Sequence, residues 1–235
     1  MRKVILNIPH SSTVVPKWAL RDIIIPTEEL NELVDFMVDK DVDEIWEFVP
    51  NQNKVVASIN RVVVDTERFT DDLKEPMASK GMGMFYTHTP DGKLFRIKKE
   101  EAYRKAIDIY NSYHKELEEK VETCLFECGK CVILDCHSFH DKMNYTNYDP
   151  STFPDICIGT NGEIPTEAEI VIKSFKSHGY TVKINEPFSG AIVPLKFIDN
   201  PQVISIMIEL NRRIYDNTEF SKVQNICKEI YNKLG

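Results

Sequence analysis

The stretch CVILDCHS, residues 131–138, joins an apolar run to a group of polar side chains. Its first four residues, CVIL, are apolar on both alternations, and so is the run VISIMI at residues 203–208. Strands that are covered on both faces show this pattern, because neither face of such a strand meets water. Both runs therefore predict interior strands of a largely parallel sheet.

Shorter patterns on either side of these runs extend the prediction along the chain. Runs rich in β-branched residues predict strands at 3–8, 54–64, 155–158 and 180–184. Amphipathic patterns predict helices over 27–38, 98–125, 166–177 and 219–234. Alternating strands and helices indicate an α/β sandwich around the sheet. A chain of 235 residues can bury a sizeable core, and we expect one domain over 1–235.

Charge and composition disfavour several classes of partner. The formal net charge is −8 and the isoelectric point is near 5.3. This charge disfavours nucleic acid and anionic membranes as partners, and no apolar run approaches the length of a membrane span. The opening sequence MRKVILNIPH lacks the pattern of a secretory signal, so we expect a cytoplasmic protein whose cysteines are reduced.

Polar side chains follow three of the predicted strands. His10 follows the strand predicted at 3–8, His137 follows the run CVIL, and Glu209 stands at the end of the run VISIMI. Ligands of open α/β sheets bind at the carboxyl ends of the strands. Two imidazoles and a carboxylate at that edge are the ingredients of a metal-hydrolase site. Each residue alone is more often a loop cap, but three at successive strand ends favour the site.

Two aspartates provide a further candidate for cation binding. Asp39 and Asp43 lie four residues apart, which predicts that they share one face of a helix. Like charges at this spacing repel each other unless a cation lies nearby. The alternative is an acidic helix face in contact with solvent.

Four arginines indicate the charge of a substrate. Arg61 and Arg68 lie near the two ends of the stretch RVVVDTERF, while Arg212 and Arg213 follow Glu209. A guanidinium group binds a carboxylate through paired, charge-assisted hydrogen bonds, so converging arginines suit an acidic substrate. In a protein of this net charge, the alternative is that these arginines pair with acidic residues of the surface.

Three cysteines have a spacing that iron–sulfur proteins use. Cys124, Cys128 and Cys131 form the pattern C-x3-C-x2-C. The first two end a predicted helix and the third opens a predicted strand, whereas cluster ligands are expected on an open loop. Buried cysteines that fill core volume are the favoured interpretation.

Residues 69–93 form the longest stretch without a clear periodicity. They are rich in methionine, glycine, aspartate and lysine. A loop of this length inside a compact domain is usually a functional lid or partly disordered. We therefore expect this segment to close over a bound substrate.

Several motifs, spread over nearly the whole chain, together resemble those of one known family, the N-formylglutamate amidohydrolases. They are IPHSS at 8–12, D-x-x-x-D at 39–43, NRVVVDTER at 60–68, TPDG at 89–92, LDCHS at 134–138, PDICIGTN at 154–161, FSGAIVP at 188–194 and IELNRRIY at 208–215. The resemblance implies a three-layer α/β sandwich around a mostly parallel, mixed sheet, of the phosphorylase/hydrolase-like kind, related to the zinc carboxypeptidases.

The resemblance also implies a site. His10 and His137 match metal-binding positions, and one aspartate of D-x-x-x-D would complete the set. We prefer Asp39 to Asp43 as this ligand, although the sequence leaves both open. Glu209 matches the catalytic carboxylate. The implied cofactor is one divalent ion, zinc or a similar metal, as His and carboxylate ligands prefer.

The resemblance further implies a reaction. The enzyme would remove the formyl group from N-formylglutamate or a similar N-acyl acidic amino acid, as in histidine degradation. Arg61, Arg68 and Arg213 would bind this small anionic substrate. Two departures from the family pattern, Glu67 and Arg212, bear on which substrate tail is bound. The alternatives are the same metal chemistry on another N-acyl amino acid or a small peptide, or a non-catalytic binding protein on this fold.

Overall fold

A computed structural model describes residues 3–143, 148–216 and 219–235 of the chain. Its strands are β1 Val4–Ile8, β2 Lys54–Val56, β3 Cys131–Phe139, β4 Ile156–Gly159, β5 Val182–Ile184 and β6 Val203–Asn211. Its α-helices are α1 Lys17–Leu20, α2 Thr27–Met37, α3 Val42–Ile45, α4 Glu100–Cys128, α5 Thr166–Ser177 and α6 Phe220–Leu234. Within these three ranges, no helix has both the length and the hydropathy of a membrane-spanning segment.

The strands form one mixed sheet in the order β2-β1-β3-β6-β4-β5. The pairs β1–β3, β3–β6 and β4–β5 are parallel, whereas β4 runs antiparallel to β6. The predicted α/β class with a mostly parallel, mixed sheet is therefore confirmed. The interior position of β3 and β6 agrees with their apolar pattern on both alternations.

The chain divides into two compact units. The first unit comprises residues 1–8, 41–55 and 117–235, and the second comprises residues 9–40 and 56–116. The strands β1, β3, β4, β5 and β6 belong to the first unit. A single domain over 1–235 stays a prediction.

The core of the first unit lies between the sheet and the helices α3, α5 and α6. Leu134 of β3 and Ile208 of β6 are fully buried there, as are Phe175 of α5 and Ile230 of α6. Removing each such side chain from water contributes about 1.5–3 kcal/mol. This apolar layer holds the paired strands of the sheet in place.

The core of the second unit includes a buried charge. Arg96 is fully buried, and its guanidinium carbon lies 3.5 Å from the centre of the Phe85 ring. The Nε atom of Arg96 donates to the carbonyl of Tyr86 at 2.7 Å, and both Nη atoms donate to the carbonyl of Val63 at 3.3 Å. Burial lowers the pKa of Arg96 to about 9. These hydrogen bonds hold two irregular segments of this unit together.

The predicted strand over 54–64 is wrong beyond Val56, where β2 ends. The side chain of Asn60 accepts a hydrogen bond from the backbone of Val62 at 3.0 Å, and its carbonyl accepts one from Val63 at 2.9 Å. An asparagine that bonds to the backbone two residues on forms a turn. The apolar residues 62–64 therefore enter the core of the second unit from a turn.

The loop expected over 69–93 is only partly irregular, and its closure over a substrate stays a prediction. The segment contains a short 3₁₀ helix, Pro76–Lys80, and its residues Met82, Met84 and Tyr86 are buried in the core of the second unit. Residues 69–74 are exposed. Apolar side chains spaced along the segment explain its packing. The abundance of glycine and charged residues in its sequence gives no indication of this burial.

Two of the three cysteines of C-x3-C-x2-C are buried as the favoured interpretation predicts, whereas Cys128 is only partly buried. Cys124 and Cys131 are fully buried, and the Cys124 thiol lies 3.6 Å from the carbonyl oxygen of Lys130. Among the described residues, the groups that could hold a metal ion do not include these cysteines.

Candidate functional site

In the first unit, strand register places two of the predicted site residues side by side. His137 of β3 is paired with Glu209 of β6. Paired residues of neighbouring strands project to the same face of a sheet. Both side chains are buried, and both lie within the last three residues of their strands. The structure therefore brings an imidazole and a carboxylate together at the carboxyl edge.

A second carboxylate orients the imidazole of His137. The Nε2 atom of His137 lies 3.0 Å from Oδ1 of Asp135. Asp135 also accepts hydrogen bonds from the side chain of Asn7 at 2.8 Å and from the backbone of Ile192 at 3.1 Å. Burial raises the pKa of Asp135, but His137 and these hydrogen bonds outweigh burial, so the pKa is lowered. An ionised Asp135 accepts the Nε2 proton, which makes Nδ1 the nitrogen that can bind a metal.

In the second unit, His10 has a carboxylate near each ring nitrogen. Its Nε2 atom lies 2.9 Å from Oδ1 of Asp65, and its Nδ1 atom lies 3.6 Å from Oδ2 of Asp39. Burial and the charge of Arg61 lower the pKa of His10, but the two carboxylates outweigh them and raise it. The buried imidazole therefore lies in surroundings that favour a positive charge.

The structure separates the two aspartates of D-x-x-x-D. The helix α2 ends at Met37, and Asp41 adopts the left-handed conformation with φ of 60° before α3 begins at Val42. Asp39 lies between these helices and is buried, whereas Asp43 lies on α3 and is exposed. The predicted shared helix face is therefore wrong, because a left-handed residue interrupts the helix. Asp39 is the aspartate that accompanies His10.

Asp65 collects hydrogen bonds from several directions in the second unit. Its Oδ2 atom accepts from Arg61 Nη2 at 2.8 Å, from Arg61 Nε at 3.1 Å and from the hydroxyl of Tyr86 at 2.6 Å. Its Oδ1 atom also accepts from the backbone of Glu67 at 3.0 Å. Burial raises the pKa of Asp65, but Arg61 and His10 outweigh burial and hold it well below its usual range. Burial also raises the pKa of Tyr86 to about 12, so this hydroxyl remains a donor.

Two of the three predicted substrate arginines meet at Asp65. Besides Arg61, the Nε atom of Arg68 lies 3.6 Å from Asp65 Oδ2, and its Nη1 atom lies 3.8 Å from Glu75 Oε1. Both guanidinium groups are only partly accessible, with exposed side-chain fractions of 13% for Arg61 and 27% for Arg68.

Arg213 belongs to the first unit and has different partners. Its guanidinium donates to the carbonyl of Phe153 at 2.8 Å, to Asp155 at 3.1 Å and to Asp141 at 3.2 Å. These contacts tie Arg213, two residues after β6, to the segments that follow β3 and precede β4. Substrate binding by Arg213 stays a prediction.

Neither Asp65 nor Asp135 is among the metal and substrate residues predicted from the sequence. A local signal exists for Asp135, because it lies two positions before His137 on the same face of a strand. Asp65 lies in the motif NRVVVDTER that carries the family resemblance, but no signal in the sequence pairs it with His10, which is 55 positions away. The donor types of His10, Asp39 and His137, two imidazoles and one carboxylate, could hold a metal ion.

Comparison with solved structures supports the fold. Among solved structures, the chain is similar to N-formylglutamate amidohydrolase from Ralstonia eutropha JMP134, with a TM-score of 0.83, 22% identity, and coverage of 99% of this chain and 92% of that chain. It is also similar to a gene product of Agrobacterium tumefaciens, with a TM-score of 0.72, 17% identity, and coverage of 99% and 90%. At these identities the likeness establishes the fold alone. No curated protein shows significant sequence similarity.

The evidence for the family comes from the sequence itself. The model of the family described as N-formylglutamate amidohydrolase matches residues 2–216, which include every residue of the candidate site. The chain therefore belongs to the N-formylglutamate amidohydrolase family, hydrolases that act on amide bonds.

Proposed function

We propose that this protein is a metal-dependent amidohydrolase that converts N-formylglutamate and water into formate and glutamate. The observation that carries the proposal is the pairing of Glu209 with His137 in the register of β6 and β3. It supplies a carboxylate for proton transfer beside an imidazole suited to metal binding. A protein that only bound this substrate would not need that carboxylate.

The proposed metal ligands are His10, Asp39 and His137, and the proposed ion is zinc or a similar divalent metal. Three protein ligands of these types are typical of catalytic zinc sites. Each imidazole also has a carboxylate at Nε2, which is Asp65 for His10 and Asp135 for His137. Metal-binding histidines usually have such a partner, because it fixes the ring and raises its basicity. A bound ion would polarise the acyl carbonyl and lower the pKa of water.

Glu209 is the proposed acid–base residue. Its carboxylate takes a proton from the attacking water as the water oxygen bonds to the formyl carbon. It then gives this proton to the amide nitrogen as the carbon–nitrogen bond breaks. The amine of glutamate leaves, and the formic acid gives its proton to this amine, so the products are formate and glutamate in its ammonium form. Each carboxylate oxygen of Glu209 is thereby returned to its starting state.

Arg61 and Arg68 are proposed to bind carboxylates of the substrate. Arg61 uses Nε and Nη2 for Asp65, and its Nη1 atom lies 3.7 Å from Asp39 Oδ1. A guanidinium has five N–H donors, so a substrate carboxylate would share this group with the two aspartates. Arg213 is a third proposed contact, for which a substrate carboxylate would have to displace Asp141 or Asp155. Both carboxylates of N-formylglutamate would thus have cationic partners.

The direct test combines an assay with elemental analysis. The purified protein should release formate from N-formylglutamate and contain about one equivalent of a divalent metal per chain. N-formylglutamine, which lacks the side-chain charge, is the matched control substrate and should react more slowly. His137→Ala should lose both metal and activity, because two remaining ligands bind weakly. Parental metal content in His137→Ala would refute the ligand set.

A second candidate is hydrolysis of another N-acyl amino acid. Glu67 departs from the family pattern, and its backbone N–H donates to Asp65, the partner of Arg61. The side chain of Glu67 therefore adds an acidic group two residues after Asp65. Negative charge at this position disfavours a doubly charged substrate. Faster turnover of a singly charged N-acyl amino acid than of N-formylglutamate would favour this candidate.

A further inference from the structure

The carboxylate of Asp65 accepts hydrogen bonds from four groups of the second unit. It is fully buried, and its donors are the side chains of His10, Arg61 and Tyr86 and the backbone of Glu67. Both oxygens are engaged, and the donors come from separate parts of the second unit. This leaves the carboxylate a single orientation that satisfies all of them.

That orientation fixes two functional groups at once. Oδ1 lies 2.9 Å from His10 Nε2, while Oδ2 accepts two N–H groups of Arg61 at 2.8 and 3.1 Å. A carboxylate bound at Nε2 decides which nitrogen of the ring faces a metal. Two hydrogen bonds from one guanidinium also decide the plane of that group. Rotation of the Asp65 carboxylate would therefore move both side chains.

Tyr86 fixes Asp65 in turn. Its hydroxyl donates to Oδ2 at 2.6 Å, and its own carbonyl accepts from the buried Arg96 at 2.7 Å. The backbone of Asp65 also donates to the carbonyl of Met84 at 2.9 Å, two residues before Tyr86. The 84–86 segment therefore holds Asp65 by both its backbone and its side chain. A phenylalanine at position 86 would fill the same volume but leave Oδ2 without this donor.

We propose that Asp65 and Tyr86 are positioning residues that couple metal binding to substrate binding, because one carboxylate orients both His10 and Arg61. This inference rests on the proposed function, in which His10 binds the metal and Arg61 the substrate. It adds that the two affinities change together. A residue that merely stabilised the fold would alter the melting temperature without this joint change.

The test compares three variants of the whole protein. Tyr86→Phe removes one hydroxyl, and Asp65→Asn keeps the shape of the side chain but removes its charge. Tyr103→Phe is the matched control, because it removes a hydroxyl from a tyrosine of the same unit whose ring packs on Phe85. Each variant is measured for Zn²⁺ affinity by chelator competition, for KM and kcat at saturating Zn²⁺, and for its melting temperature.

Asp65→Asn should bind Zn²⁺ about 10-fold to 100-fold more weakly, the usual effect of losing the partner of a metal-binding histidine. Tyr86→Phe, which loses a donor to that partner, should weaken Zn²⁺ binding by a smaller factor. The KM of both variants for N-formylglutamate should rise, and it should rise by a larger factor than kcat falls. Tyr103→Phe should match the parent. If Asp65→Asn does not fold, Tyr86→Phe decides. A folded Tyr86→Phe with parental Zn²⁺ affinity and KM would overturn the inference.

His10→Ala separates this outcome from failure of the proposed function. If His10→Ala binds Zn²⁺ as the parent does, the proposed ligand set is wrong and the inference falls with it. If His10→Ala loses Zn²⁺ while Tyr86→Phe is unchanged, the ligand set stands and only the positioning role is refuted.

Discussion

The two units position their functional side chains by different means. In the first unit, His137 and Glu209 are neighbours because β3 and β6 pair in parallel and in register. In the second unit, His10 and Asp65 meet through a side-chain hydrogen bond between residues 55 positions apart. Neither of the latter lies in a helix or strand.

This difference changes how each region responds to substitution. Register is maintained by many backbone hydrogen bonds over an apolar core, so a change in one side chain leaves the neighbouring residues in place. In the second unit, a single carboxylate binds several donors, so a change there disturbs all of them. Chemistry and stability should therefore be separable in the first unit and connected in the second.

The largest expected effect comes from Glu209→Gln. The amide keeps the shape of the side chain but cannot carry a proton, so kcat should fall by about 10²-fold to 10⁴-fold. Because register holds the position, metal content and melting temperature should stay at parental values. The measurements are formate release, elemental analysis and thermal unfolding.

A matched control is Glu229→Gln on α6, where the carboxylate pairs with Lys233 at the surface. It should keep parental turnover. Near-parental turnover of Glu209→Gln would remove Glu209 from the mechanism, and loss of the metal would make it a ligand instead.

The next effect tests whether the apolar core maintains the register. Leu134→Ala empties part of the core beside β6 and should lower the free energy of unfolding by about 2–5 kcal/mol. Leu73 is 98% exposed in the second unit, so Leu73→Ala should change the free energy of unfolding by less than about 0.5 kcal/mol. Denaturant titration measures both. Equal losses of unfolding free energy in Leu134→Ala and Leu73→Ala would contradict this prediction, because the register would then not depend on this core.

The smallest effect concerns the hydrogen bonds of the second unit. Arg61→Lys keeps the charge but removes the planar fork, so KM for N-formylglutamate should rise about tenfold, or ~1.4 kcal/mol, with little change in kcat. Arg104→Lys, at an exposed pair with Glu100, is the control and should leave KM unchanged. An unaltered KM in Arg61→Lys would show that the guanidinium fork of Arg61 does not bind the substrate.

The elements with a clear periodicity could be predicted from the sequence. The runs at 131–134 and 203–208 lie within β3 and β6, and the amphipathic stretches correspond to α2, α4, α5 and α6. The failures occur where one residue changes the backbone direction. Asn60 turns the chain after β2, and left-handed Asp41 interrupts the helix expected between Asp39 and Asp43. A pattern of apolar residues contains no signal for such turns.

The candidate site divides in the same way. His10, His137 and Glu209 could be selected because polar residues at strand ends share one edge of a parallel sheet. Asp65 could be marked only as a position of a family motif, and Tyr86 could not be marked, because their roles come from hydrogen bonds to side chains distant in sequence. Burial and partners of this kind become known only when the chain is folded.

The interrupted first unit has a consequence for synthesis on the ribosome. The side chains of Asn7 and Asp135, which join β1 to β3, are 128 positions apart. At 5–20 residues per second, β1 waits roughly 6–26 seconds before its parallel neighbour β3 is translated. Residues 9–40 and 56–116 of the second unit emerge entirely within that interval. The second unit therefore has its full sequence available before the first unit does. Until the remaining strands of its sheet have been synthesised, β1 must stay soluble.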